Sequence, residues 1–386
     1  MSATSGGRRV RAAVVHEVGT PVVVEEIELA PTGAHDVLVQ MAASGVCHSD
    51  LSVQNGSIPF LFPTVLGHEG AGVVLEVGES VTRVAPGDHV VLTWMPACRR
   101  CFWCLNGQPM LCEVGLSEAL SSPYATVGGR PLVRGLGTAT FGELTLVPEG
   151  EVVRIDPSVS LELAALVGCA LATGVGAVWH TAKVTPGSSV AVVGCGGVGL
   201  SVIQGARLAG AGPVVAVDRV AAKLETALAM GATAAVDASS EDVVAAVRAH
   251  TAGRGADFCF EVVGRADTIR AAFAATRRGG TTVLVGAGSP AEQVSFSAFE
   301  LFVDAKTVVG CVYGSTDGDR DFPVLVDLVR TGAIDAAGLV TRRIGLDDID
   351  EAFRAMEAGE VARSVIVYGD AGRSTSGRSP GRGGER

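Results

Sequence analysis

Hydrophobic and polar positions follow two different rhythms along this 386-residue chain. In the first half, short alternating runs at 11–15, 22–29, 36–43, 70–77, 89–92 and 142–147 are broken by Gly and Pro. That pattern predicts an irregular, mostly antiparallel β unit. After about Ala170 come short apolar runs at 190–193, 214–217, 234–236, 258–262 and 282–285. Ala-rich stretches with helical spacing separate them, at 198–209, 221–230, 242–249 and 268–276. Strands buried on both faces lose their alternation, so this half predicts βαβ units in a doubly wound parallel sheet. Beyond Tyr313 the pattern predicts a helix at 322–330, a strand near 339–341, a helix at 346–358 and a last strand at 364–368, returning to the first unit.

The fold class is therefore α/β, in two domains. Residues 10–170 and 313–368 form one and residues 171–312 the other. The segments 1–9 and 369–386 are small, polar and Arg-containing, and are expected to be disordered tails.

Composition narrows the partners. Apolar residues make up 48% of the chain, enough for sizeable cores, and the net charge of −11 argues against nucleic acid or an anionic membrane. No apolar run approaches the ~20 residues a membrane span needs. Nine cysteines, an odd number without an export signal, fit reduced thiols in the cytoplasm better than a disulfide framework.

Four of those cysteines crowd together as Cys98, Cys101, Cys104 and Cys112. Two, two and seven intervening residues let four thiolates converge on one Zn²⁺, and a closed four-sulfur site serves structure rather than chemistry. A disulfide pair in a loop is the weaker reading. Elsewhere the run at 189–193 leads into Gly194-Cys-Gly196-Gly197-Val198-Gly199, a G-x-G-x-x-G turn before a helix, which fits a dinucleotide pyrophosphate at a helix N-terminus. The next apolar run ends at Asp218, where a carboxylate favours the free ribose hydroxyls of NAD over the 2′-phosphate of NADP. Arg219 beside it tempers that preference, and an ordinary strand-end cap is the alternative role for Asp218. Cys47, His68 and Cys169 are each unremarkable alone; together, two thiolates and an imidazole would leave one zinc position open.

The motifs Gly-Val-Cys47-His48-Ser49-Asp50, Gly67-His68-Glu69-Gly-Ala-Gly, the four-cysteine lobe, Gly168-Cys169-Ala-Leu-Ala-Thr173-Gly, Val-Gly194-Cys-Gly-Gly-Val-Gly199 and Arg363 make the chain resemble the zinc-dependent medium-chain alcohol dehydrogenases over residues 10–368. Among these it looks most similar to class III and mycothiol-dependent formaldehyde dehydrogenases and to aryl and allylic alcohol enzymes. The resemblance implies a β-rich GroES-like catalytic domain, a Rossmann domain, two zinc ions per chain and NAD. It implies that Cys47, His68 and Cys169 hold a catalytic zinc, that Glu69 is an alternative ligand, and that Asp50 orients His68. Thr173 and Val198 would press the nicotinamide ring, Val285 would also contact the cofactor, Lys223 would assist Asp218 at the ribose, and His48 and Arg363 would reach the pyrophosphate. Ser49 would take the alcohol proton; the family's titrating residue three positions on is here Ser52, so the outer end of that relay departs from the pattern. Trp94 and Ile58 would line the substrate channel, with Phe60, Leu61 and Phe62 nearby.

The implied activity is hydride transfer between NAD(H) and a bulky apolar, primary, aromatic or allylic alcohol or aldehyde, by a cytoplasmic homodimer or homotetramer. Two alternatives stand beside it: oxidation of the S-hydroxymethyl adduct of formaldehyde with a small thiol, and a non-catalytic NAD-binding protein.

Overall fold

The computed structural model describes residues 7–121 and 124–369. Of the expected tails at 1–9 and 369–386, residues 1–6 and 370–386 lie outside the described residues. Arg8 and Arg9 are not tail residues, because Arg8–Val15 is one strand, with Arg8 opposite Leu29.

Three β layers organise the chain. A small closed barrel joins Arg8–Val15, Val23–Leu29, Ala125–Val127, Arg130–Arg134 and Thr64–Val65. Beside it lies a seven-stranded sheet centred on Asp36–Val46 and Glu69–Val77, which pair antiparallel. The final strand, Ser364–Val367, returns to pair antiparallel with the end of Asp36–Val46. Pairing in these layers is antiparallel apart from Thr64–Val65 with Arg130–Arg134 and Arg342–Ile344 with Ser364–Val367.

The third layer is a six-stranded parallel sheet. Its spatial order is Ala234–Asp237, Val214–Asp218, Val190–Val193, Ala256–Glu261, Thr276–Leu284, Thr307–Gly310. The order reverses between Val190–Val193 and Ala256–Glu261. That reversal opens a crevice at the carboxyl ends of the strands, the usual ligand position in such sheets. The inner strands read as apolar runs because helices cover both faces: every residue of Val190–Val193 is buried.

Several elements differ from expectation. The strand sought near 339–341 is Arg342–Ile344, and buried Leu339 belongs to the 3₁₀ turn Ala337–Leu339. The helix expected over 346–358 begins as a 3₁₀ turn at Leu346–Asp348 and turns α-helical at Ile349–Glu357. The helix expected at 268–276 runs Ala266–Ala275, and Thr276 opens the next strand.

Among the described residues no single helix is long and apolar enough to cross a membrane. The bent pair Leu161–Gly168 and Ala170–Thr181 passes by composition, but its apolar residues belong to the core of the molecule.

Candidate active site and metal centres

The open site is built where three segments meet. Cys47 stands at the end of Asp36–Val46 as the N-cap of the short helix His48–Gln54. His68 precedes the strand Glu69–Val77, and Cys169 precedes the helix Ala170–Gly176. The ligand atoms of Cys47, His68 and Cys169 lie within 4.8 Å of one another, and all three residues are buried.

Asp50 fixes this geometry from below. Its Oδ2 accepts the Cys47 N–H at 3.2 Å, and its Oδ1 accepts the Gly67 N–H at 2.9 Å. The same Oδ1 lies 3.1 Å from His68 Nδ1. One buried carboxylate thus locks the backbone of the first ligand and the ring of the second, and leaves His68 Nε2 buried with no partner. A bond at Nδ1 that sets the ring orientation is the usual support for a metal-ligating imidazole.

The two sulfurs show the same unmet demand. The Cys47 thiol is held well below its ordinary range, first by a hydrogen bond from Cys169, whose own thiol is pushed up by that contact. Two buried sulfurs beside an unpartnered ring nitrogen, all within 4.8 Å, fit a soft divalent cation, which satisfies all three.

Glu69 and Arg363 back the site. Glu69 Oε1 accepts the Ala170 N–H at 2.7 Å, and its Oε2 lies 3.3 Å from Arg363 Nη1. Burial raises the Glu69 carboxyl to about 7 against the pull of Arg363. Arg363 Nη1 also donates to the Val46 carbonyl at 3.0 Å.

The other guanidinium nitrogens face the glycine turn: a Cβ added at Gly197 would lie 2.7 Å from Arg363 Nη2. Gly199 has no such freedom, because a Cβ there would strike the Gly194 carbonyl oxygen. Gly194 itself holds φ +99°, a conformation that favours glycine. Nothing crowds the Cβ position of Gly196, so the N-cap of the helix Gly197–Leu208 is open to a phosphate. These residues fit a dinucleotide.

Helix packing brings the two halves together. The helix Ala170–Gly176 lies so close to Gly197–Leu208 that a Cβ at Gly174 would sit 2.6 Å from the Val198 carbonyl. Thr173 Oγ1 lies 4.0 Å from Cys169 Sγ, and its neighbour Gly174 makes that helix contact. Ser49 Oγ is 3.9 Å from Cys47 Sγ. His48 keeps solvent exposure, yet partial desolvation of its ring, ahead of the charges on Arg363 and Lys223, holds its pKa below the ordinary value; Cys47 acts in the opposite sense.

Asp218 ends its strand with a carboxylate turned back onto the chain. Its Oδ2 accepts from Cys195 N–H at 2.7 Å, and its Oδ1 from Arg219 at 2.7 Å and Val220 at 3.0 Å. It therefore ties the glycine turn to the second strand, and is a capping residue as well as a candidate ribose partner. The Arg219 side chain is exposed, Lys223 is half-buried on the helix Ala221–Ala229, and Val285 follows the strand Thr276–Leu284 with its N–H donated to the Glu261 carbonyl at 2.8 Å.

Of the expected channel residues, Trp94 reaches the triad, its ring 6.0 Å from that of His68 and edge-on. Ile58, Phe60 and Phe62 are half-buried against the core of the β layers, and Leu61 is exposed. Tyr313 was not anticipated: it stacks on Trp94 at 4.8 Å and donates its hydroxyl to the Gly168 carbonyl at 2.5 Å. Only its place at the close of the parallel sheet hinted at it.

The second centre is different in kind. Cys98, Cys101, Cys104 and Cys112 gather their sulfurs within 4.8 Å, and only Cys112 is buried. Backbone N–H groups of Cys98 and Gly115 donate to Cys112 Sγ, and that of Cys101 to Cys98 Sγ, each at 3.3 Å. Arg99, at φ +62° within the lobe, anchors it through Asp317 at 2.6 Å and Asp319 at 2.7 Å.

Comparison with known proteins agrees with this architecture. Residues 33–157 match the alcohol dehydrogenase GroES-like domain and residues 197–331 the zinc-binding dehydrogenase domain. An S-(hydroxymethyl)glutathione dehydrogenase of Synechocystis sp. is 40% identical over 368 residues, covering 93% of this chain and 99% of the relative. A zinc-binding alcohol dehydrogenase structure from Burkholderia ambifaria superposes with a TM-score of 0.88 at 34% identity, over 93% of this chain and 99% of that one. The benzyl alcohol dehydrogenase of Acinetobacter calcoaceticus superposes with a TM-score of 0.86 at 31% identity, with the same coverage. With two candidate metal centres, a dinucleotide crevice and these relatives, the chain belongs to the zinc-dependent alcohol dehydrogenase family and is an NAD-dependent oxidoreductase.

Proposed function

We propose that the enzyme interconverts a bulky apolar primary alcohol, aromatic or allylic, and its aldehyde. The observation that carries this reading is the indole of Trp94, edge-on to His68 and backed by Tyr313, which gives the open site an apolar wall. Cys47, His68 and Cys169 would hold the catalytic zinc, and Cys98, Cys101, Cys104 and Cys112 the structural one. When bound, zinc would supply Lewis acidity and NAD(H) hydride-transfer chemistry.

The chain's own residues do the rest. Asp50 keeps His68 Nε2 turned to the cation. Thr173 and Val198 press the nicotinamide end toward the triad, Gly194 to Gly199 with Arg363 and His48 hold the pyrophosphate, and Asp218 with Lys223 reads the ribose. Ser49 Oγ, beside Cys47, takes the substrate hydroxyl proton. Ser52 cannot titrate near neutrality, so water or His48 completes the path outward. Residues 10–170 with 313–368 act as the catalytic unit and residues 171–312 as the nucleotide unit.

The names of the relatives favour a second reading. Proteins called S-(hydroxymethyl)glutathione dehydrogenase are 40% identical to this chain, which supports a formaldehyde–thiol adduct as substrate. The two separate in one assay: NADH formation from benzyl-type alcohols, against formaldehyde with and without glutathione. Turnover of the aromatic alcohol supports the first reading; activity only with formaldehyde plus thiol replaces it with the second.

Assembly as a homodimer or homotetramer is part of the proposal. The edge strand Thr307–Gly310 has a neighbour on one side only, and on the helix Ala298–Asp304 that precedes it in the chain Phe299 and Phe302 are 74% and 82% exposed. Nine free thiols fit a reducing cytoplasm.

A further inference from the structure

A buried carboxylate that the mechanism does not use stands at the reversal point of the parallel sheet. Glu261 is the last residue of Ala256–Glu261, opposite Val193 on one side and Leu284 on the other, and it is fully buried. Its Oε1 accepts three hydrogen bonds: from Val263 N–H at 2.9 Å, Gly264 N–H at 2.8 Å and the Thr268 hydroxyl at 2.7 Å, whose one proton is shared with the Arg265 carbonyl at 2.9 Å. Its Oε2 is buried with no partner. Its own carbonyl accepts the N–H groups of Val285 at 2.8 Å and Gly286 at 3.0 Å.

The turn that Glu261 shapes is wedged between two others. On one side, a Cβ at Gly194 would lie 2.7 Å from Val263 Cγ2. On the other, Cβ atoms at Gly286 and Gly288 would collide with the backbone of Gly264, which holds φ +86°. Three loops therefore meet, with only the Val263 side chain between the first two and backbone against backbone between the second and third, at the crevice where a dinucleotide binds. Val263 remains 42% exposed there although it is apolar. A turn so placed must hold its shape if the crevice is to be pre-formed, and pre-formed sites bind more tightly than those ordered on binding.

We propose that Glu261 is a positioning residue for the coenzyme: by accepting three hydrogen bonds on one oxygen it fixes the Val263–Gly264 turn against Gly194 and Gly286, and so sets the affinity for NAD(H). This rests on the NAD-dependent reading of the crevice. The role belongs to hydrogen-bond acceptance at Oε1, so Gln, which keeps a carbonyl oxygen and turns the unpartnered Oε2 into an amide, should serve nearly as well. Leu, of similar bulk, should not.

The test is titration of NADH by fluorescence on the zinc-loaded wild type, E261Q, E261L and T268V, with melting temperature, kcat and the KM of each substrate. Wild type must bind NADH; failure there overturns the NAD reading itself. In E261L, with three donors deprived of their shared acceptor, NADH binding is expected to weaken about tenfold or more. The KM for alcohol should stay near wild type, and kcat should hold or rise if coenzyme release limits turnover. E261Q should return to within about twofold of wild type, and T268V, lacking one donor, should fall between. Equal loss of alcohol and NADH binding in E261L would assign Glu261 to general stability and overturn the proposal. If E261L does not fold, T268V decides: NADH affinity equal to wild type in T268V overturns it, and selective weakening supports it.

Discussion

The two cysteine centres ask opposite things of the same kind of ion. In the lobe, four sulfurs close around one point, three of the four residues are half-exposed, and the donors that support them are backbone N–H groups of the lobe itself. In the triad, three buried ligands come from segments more than a hundred residues apart in total span, and two of them, Cys47 and His68, are held by a carboxylate, Asp50, outside the set. The lobe's ligand set is local, with Arg99 tying it to Asp317 and Asp319; the triad exists only because the β layers and the helix at Ala170 have already met. A closed local site returns its binding energy as folding energy. An open, remotely supported one leaves a coordination position for chemistry and contributes little to holding the chain together.

The sharpest way to break that contrast is to remove one sulfur from each centre. Cys47→Ser is expected to reduce NADH turnover to background while leaving the melting temperature close to wild type. Cys101→Ser is expected to lower the melting temperature or cause aggregation. Reversal of these outcomes in thermal melts and turnover assays would exchange the two roles.

Smaller effects sharpen the picture around the triad. Ser49→Ala should lower the single-turnover hydride-transfer rate by about a hundredfold, within the range for a lost proton-transfer group. Asp50→Asn should cost about 10–100-fold in zinc affinity or activity, because the ring of His68 loses its ionic support; zinc retention during dialysis reads this directly. Replacing Asp218 by Gly should weaken NAD⁺ binding about tenfold and narrow the preference over NADP⁺ in kcat/KM. It should also loosen the glycine turn, since the Cys195 N–H loses its acceptor. Smallest of all, Ser52→Ala should change the same single-turnover rate by less than about twofold, because a hydroxyl that cannot titrate near neutrality carries little of the proton path.

The same contrast between local and remote explains what could be read from the chain alone. The lobe is legible because its ligands are neighbours in sequence, and the parallel sheet because strands buried on both faces are apolar throughout. Thr64–Val65 carries no pattern at two residues, yet it closes the barrel. The helix His48–Gln54, with its polar sequence, is fixed by Cys47 and Asp50 rather than by periodicity. Leu339 misled because burial inside a 3₁₀ turn looks, in sequence, like burial in a strand. For the triad, residue types and flanking motifs were visible, but convergence needed the fold. The strand-end cap at Asp218 was legible, but neither its bond to the Cys195 N–H nor the turn-shaping role of Glu261 left a trace in spacing, since each depends on which loops stand side by side.

The central claim is that one chain carries two zinc ions in unequal roles, and metal analysis combined with thermal melting tests it most directly. Well-folded wild type should hold two zinc ions per chain, and Cys47→Ser should hold one with an unchanged melting temperature. One zinc per chain in well-folded, fully active wild type would contradict it.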